Sequence, residues 1–175
     1  MLSRKGLNMS DEFKISLAQL NATVGDLSGN TQKVMEAWEI ARDQRSDLIA
    51  FPELFITGYN PQDLILKTAF QKAATSSIDQ IAKACAQGPA IAIGGPFYDE
   101  NKLYNSYYIL ADGKIQAVIK KHHLPNEEVF DEVRLFSSGN VDGPFQIGKM
   151  RIGSPICEDA WHTDIVETLA ETGAQ

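Results

Sequence analysis

The chain has 175 residues, the size of one ordinary domain, and 43% of them are hydrophobic, which excludes a mainly disordered protein. Lys and Arg number 16 against 23 Asp and Glu, a net charge of −7 without any basic block. That balance argues against nonspecific binding to nucleic acid or to an anionic membrane. No apolar run reaches the roughly 18 residues of a membrane-spanning helix.

The opening MLSRKGLN lacks the apolar stretch of a secretory signal. Met9 offers a second start, so residues 1–13 are read as an N-terminal extension and 14–175 as the domain. Cys85 and Cys157 are the only cysteines, too few for a disulfide framework, and a reducing, cytoplasmic setting is expected.

KISLAQL (residues 14–20) reads as a buried strand. Gly25, Asp26, Ser28, Gly29 and Asn30 then signal a turn. Val34, Ala37, Trp38 and Ala41 recur at i, i+3, i+4 and i+7, which predicts an amphipathic helix over 31–42. DLIAFP (47–52) predicts a second strand. Phe70, Ala74, Ser77, Ile78, Ile81 and Cys85 give a second helical stripe, stopped by Gly88-Pro89. PAIAIGGP, YNSYYIL and IQAVIKK predict three more strands, the last two joined by a tight Asp112-Gly113 hairpin. Residues 122–144 show little pattern beyond one short helix after Asn126. Segments this long inside a domain are usually functional or disordered. FQIGKMRIGSPIC predicts one or two further strands with a turn at Gly148-Lys149. DIVETLA begins a last helix, with Asp164 and Glu167 spaced as a capping box and Gly173 as the stop. The order is α/β with a mixed sheet: helical crossovers first, a hairpin in the middle.

Three of the predicted strands run into reactive residues: LIAFP into Glu53, IQAVIK into Lys121 and IGSPI into Cys157. Ligands gather at the carboxyl ends of strands in open α/β sheets. A thiol is a strong nucleophile only as thiolate, a carboxylate can take its proton, and an ammonium can stabilise the anions that form. Each residue also has a plainer reading. Glu53 fits a solvated turn, Lys121 one of two surface lysines, and Cys157 a small buried apolar residue, the role assigned to Cys85.

FPELFITGY (51–59), KHHLPN (121–126) and ICEDAW (156–161) resemble, in order, the three signature segments of the nitrilase, or carbon–nitrogen hydrolase, superfamily. KISLAQLNATVGDLSGN resembles its first strand and turn. ITGYNPQDL, VFDEVRLF and CEDAWH narrow the resemblance to the glutamine amidohydrolase domain of glutamine-dependent NAD synthetases, from about Lys14 onward. The resemblance implies an α-β-β-α sandwich with mixed sheets. It implies Glu53 as general base, Lys121 as stabiliser of the tetrahedral intermediate and Cys157 as nucleophile toward the glutamine side-chain amide. Glu127, Phe130 and Glu158 would contact substrate. No cofactor serves that step. The ammonia would pass to a separate synthetase domain that uses ATP and deamido-NAD. Homo-oligomers are also implied.

Two departures stand out. Glu127, followed by Glu128, occupies a position where the family usually has a Tyr that helps bind glutamine. The family's domain extends well past the Cys segment, and no SGGxDS-type loop is present. The chain is therefore read as a sandwich incomplete at its C-terminus, with the synthetase domain absent. Little activity and a tendency to self-associate are expected of it alone. The alternatives are another small-amide amidase and an inactive interaction module.

No metal is expected. His122 and His123 are adjacent and should project to opposite sides of an extended segment, and His162 is far away in sequence. Gly94-Gly95 lacks any phosphate-loop context and suggests close packing or a turn. Trp161 is expected either to line the pocket or to pack the following helix.

Overall fold

The computed structural model describes residues 12–175, so the readings of the opening segment and of Met9 fall outside the described residues. Five strands form one sheet in sequence order: β1 (Ile15–Leu17), β2 (Leu48–Ala50), β3 (Ala90–Asp99), β4 (Lys102–Ala111) and β5 (Lys114–Lys120). β1, β2 and β3 run parallel, and β3, β4 and β5 antiparallel. The parallel pairs are joined by α1 (Leu27–Asp43) and α2 (Thr68–Ala84). The β4–β5 hairpin turns at Asp112 and Gly113, both with positive φ (53° and 77°), as a two-residue turn of matching twist requires.

Alternation along the strands divides the core. Ile49, Ile91, Ile93, Tyr108 and Leu110 face Val34, Trp38, Ala41, Ala74, Ile78 and Ile81 of α1 and α2. Leu48, Ala90, Ala92 and Ile109 face the other way. A fully buried isoleucine such as Ile78 contributes roughly 1.5–3 kcal/mol. The Trp38 indole donates to the Pro89 carbonyl at 2.9 Å, so its one polar atom is satisfied where the ring is buried. The opposite face receives Phe145, Ile147 and Ile152 from a separate hairpin, β6 (Phe145–Ile147) and β7 (Met150–Ile152). Two short elements complete the chain: α3 (Glu132–Leu135) and α4 (Thr163–Glu171).

The predicted order of elements is observed, with three differences. α1 begins at Leu27, because Asp26 caps it by accepting from the Gly29 amide at 2.9 Å, and the residues read as a turn form its first coil. α4 has no side-chain cap. Asp164 instead engages His123 and the Ile165 amide, so the predicted capping box is not formed. Cys157 does not end a strand. β7 stops at Ile152, residues 153–156 are irregular, and Cys157 opens a 3-10 turn over Cys157–Trp161. Pro155 in that stretch has no N–H to give to a sheet.

Candidate active site

Glu53 sits three residues past β2, on a loop held against β3 by Phe51 N–H to the Ala92 carbonyl (2.8 Å) and Ile56 N–H to the Gly94 carbonyl (3.1 Å). Gly94 is what lets the loop approach. A Cβ there would lie 2.1 Å from the Leu54 nitrogen and 2.7 Å from the Glu53 Cα. Of the two readings of the glycine pair, close packing holds for Gly94. Lys121 follows β5, and its N–H to the Asn105 carbonyl (2.9 Å) carries the β4–β5 ladder one residue further.

These placements bring Glu53 and Lys121 together inside the molecule. Lys121 Nζ donates to Glu53 Oε1 at 2.6 Å and to both carboxylate oxygens of Glu132 at 2.9 and 3.0 Å. Asn105 Nδ2 donates to Glu53 Oε1 at 2.6 Å and to Glu132 Oε2 at 3.3 Å. Lys121 and Asn105 are wholly buried and Glu132 is 2% exposed, so the plainer reading of a surface lysine fails. Its neighbour Lys120 takes the outer position, paired with Asp99 at 2.9 Å.

Cys157 is exposed and completes the set from the opposite side. Its φ is +47°, a left-handed conformation uncommon for a residue with a side chain. The thiol faces the Glu53 carboxylate, and the two line the same recess. Both donors to Glu53 end on Oε1, so that atom is occupied and Oε2 remains for a proton. Cys157, Glu53, Phe51, Tyr107, Ser154, Pro155 and Ile156 line a recess of about 170 Å³. The spacing-based trio is thus assembled, although by a route different from three strand ends.

The electrostatics follow from burial and charge. Desolvation works against the Lys121 ammonium, but Glu53 and Glu132 outweigh it and hold its pKa above the ordinary value. Glu132 is raised by burial, with Glu53 adding to the effect and Lys121 opposing it. The Cys157 thiol is raised by desolvation and by Glu53, against the lowering influence of Lys121. At rest the sulfur therefore keeps its proton beside a carboxylate that can accept it.

Asp159 binds the two halves of the site. Only 3% exposed, its carboxylate accepts from the His123 amide at 2.7 Å, the His122 amide at 3.2 Å and the Ile156 amide at 3.3 Å. It thereby joins the residues after Lys121 to the residue before Cys157. Removing it would leave buried amide donors unpaired, at about 1–3 kcal/mol each. Asp159→Ala is therefore expected to lower the melting temperature by at least about 6 °C, at roughly 2–4 °C per kcal/mol for this size. An unchanged thermal melt would contradict that role.

Glu127, Phe130 and Glu158 are brought together in an adjoining cleft of about 530 Å³ with His123, Glu128 and His162. Trp161 is 82% exposed, and it neither lines that cleft nor packs on α4 as expected. Cys85 is buried on α2's C-terminal side with its pKa pushed up to about 11, chiefly by desolvation.

Glu132, Asn105 and Asp159 were not legible as site residues. A signal existed for the first. Glu132, Leu135 and Phe136 lie at i, i+3 and i+4, all buried, so a helical reading of DEVRLF puts this carboxylate on the inward face. The histidines also depart from expectation. The His122 and His123 rings are 4.7 Å apart, and His123 stacks on His162 at 3.7 Å. Opposite projection needs regular strand geometry. Beyond Lys121 both amides turn toward Asp159 instead, and the chain leaves the ladder.

Comparison with known proteins fits this geometry. The chain is 48% identical over 167 residues to a glutamine-dependent NAD(+) synthetase of Rhodobacter capsulatus, covering 95% of this chain and 30% of that protein. A structure of glutamine-dependent NAD+ synthetase from Acinetobacter baumannii matches with a TM-score of 0.88 at 34% identity, over 93% of this chain and 31% of the other. An amidase from Nesterenkonia sp. shares the fold, with a TM-score of 0.81 at 24% identity, over 93% of this chain and 62% of the other. The chain thus spans about 30% of the length of the curated relatives it matches. The family description "carbon-nitrogen hydrolase" matches residues 14–175, which include every member of the buried cluster and the thiol beside it, and the chain belongs to the carbon–nitrogen hydrolase family.

Proposed function

We propose that this site hydrolyses the side-chain amide of glutamine to glutamate and ammonia. The observation that carries the reading is an exposed cysteine that shares one recess with a glutamate itself ion-paired with a buried lysine. Glu53 takes the Cys157 proton as the sulfur attacks the amide carbon. The Lys121 ammonium stabilises the oxyanion of the tetrahedral intermediate. Glu53 returns the proton to the leaving nitrogen, ammonia departs and a glutamyl thioester remains. Water, deprotonated by Glu53, then cleaves the thioester and restores the thiol. Glu132 touches no reacting atom in this scheme. It holds the Lys121 ammonium in place and charged.

Similarity to glutamine-dependent NAD synthetases supports the wider proposal that the ammonia feeds an ATP-dependent conversion of deamido-NAD to NAD. That role includes a synthetase domain as partner, a homo-oligomeric assembly and a cytoplasmic location. Among the described residues no helix is long and apolar enough to cross a membrane.

The test has two parts. Limiting iodoacetamide is expected to label Cys157 well before buried Cys85, as read by peptide mass spectrometry; preferential Cys85 labelling would remove the nucleophile from the scheme. Glutamate release is then compared with ammonia release from small amides that lack a carboxylate. Glu127 and Glu128 at the cleft would repel a substrate carboxylate. Preference for the uncharged amides would favour a different small-amide amidase.

A further inference from the structure

All three histidines of the chain converge beside the site, and the proposed hydrolysis uses none of them. His122 and His123 lie just after Lys121. Asp164 stands in the first turn of α4, after the Cys157 segment. One ligand atom from each of His122, His123 and Asp164 lies within 4.8 Å of the others.

The internal spacing suits a metal. Zinc–nitrogen and zinc–carboxylate bonds are about 2.0–2.2 Å, so two ligand atoms on a tetrahedral ion sit about 3.3 Å apart. His123 Nε2 lies 3.1 Å from each Asp164 carboxylate oxygen. His122 Nδ1 donates to the Gly139 carbonyl at 2.7 Å. That bond fixes the ring and makes Nε2 its lone-pair nitrogen, the outer-shell arrangement common among metal-ligating histidines. The Asp159 carboxylate holds both histidine backbones, so two ligands are already placed. The adjoining cleft presents Glu127, Glu128 and Glu158 with His123, a negative surround that favours a cation.

We propose that His122, His123 and Asp164 form a binding site for a divalent transition-metal ion. Two imidazoles and one carboxylate suit zinc, cobalt or nickel better than magnesium or calcium, which prefer oxygen. The bound ion ties the segment carrying Lys121 to the helix behind Cys157. Water or the nearby cleft supplies the remaining ligands.

The intact protein is titrated with Co²⁺ alone, and the visible d–d absorption is recorded with the thermal melt. The parent and Cys157→Ala are expected to give the same saturable spectrum. Cys157→Ala separates this site from simple thiol binding, which would add a thiolate charge-transfer band in the near ultraviolet. At a hundredfold excess of ion over Kd the melting temperature is expected to rise by about 5–10 °C. Asp164→Ala and His123→Asn, folded by circular dichroism, are expected to lose at least about tenfold in affinity, the range for lost metal-site partners. The proposal is overturned if no saturable spectrum appears. It also falls if Cys157→Ala abolishes the spectrum, or if both ligand variants bind as the parent does. Because the readouts are spectral and thermal, they are independent of whether glutamine is the substrate.

Discussion

Lys121→Met is expected to abolish amide hydrolysis and to lower the melting temperature sharply. The substitution removes the only cation within hydrogen-bonding distance of Glu53 and Glu132 among the described residues. Breaking a buried pair by deleting one partner costs about 3–5 kcal/mol, because the other charge stays buried and uncompensated. At roughly 2–4 °C per kcal/mol for a chain of this size, that is about 6–20 °C. The loss carries a pH signature. Glu132 already has a raised pKa from burial, and loss of the lowering influence of Lys121 raises it further. The folded state then holds a proton that the unfolded chain releases, so stability falls as pH rises above the ordinary carboxylate range. The variant should therefore be closer to the parent at pH 5 than at pH 7, as followed by thermal melts across that interval. A variant that kept near-parental glutamate release, or a deficit independent of pH, would count against this account of the cluster.

Glu53→Gln is expected to cut glutamate release by about 10²–10⁴-fold, the usual contribution of a positioned general base. The same change should act in the opposite direction on the bare thiol. Desolvation and the Glu53 charge both raise the Cys157 pKa, and only Lys121 pulls it down. With a neutral amide at residue 53, the thiolate forms at lower pH. The pH profile of iodoacetamide labelling at Cys157 should shift to lower pH while turnover collapses. A merely damaged site would lose both. The amide still accepts from Lys121 through its oxygen, so the variant is expected to remain folded.

The fold was largely legible because its signals are local. The apolar runs of β3 and β4, the Asp112-Gly113 turn and the Val34–Trp38–Ala41 stripe each determine an element from neighbouring residues alone. The trio of Glu53, Lys121 and Cys157 was legible from the order of reactive residues after apolar runs. Its resemblance to a known family gave the roles. What stayed hidden depends on contacts between distant segments. Glu132 meets Lys121 across 11 residues and Asn105 meets Glu53 across 52, and no spacing rule links them. The same holds for the histidines: His123 and His162, far apart in sequence, stack where Asp159 holds the His123 amide. Cys157 itself was misassigned to a strand end, since an apolar run of IGSPI looks extended whether or not a partner strand pairs with it.

Gly94 gives the site an unusual kind of dependence. It carries no functional group, lies on a strand interior to the sheet and touches no reacting atom, yet the Glu53 backbone rests where its side chain would be. A substitution at Gly94 is therefore also a perturbation of Glu53. Any side chain at 94 would displace the backbone that carries Glu53. The Glu53 carboxylate is located by an empty volume.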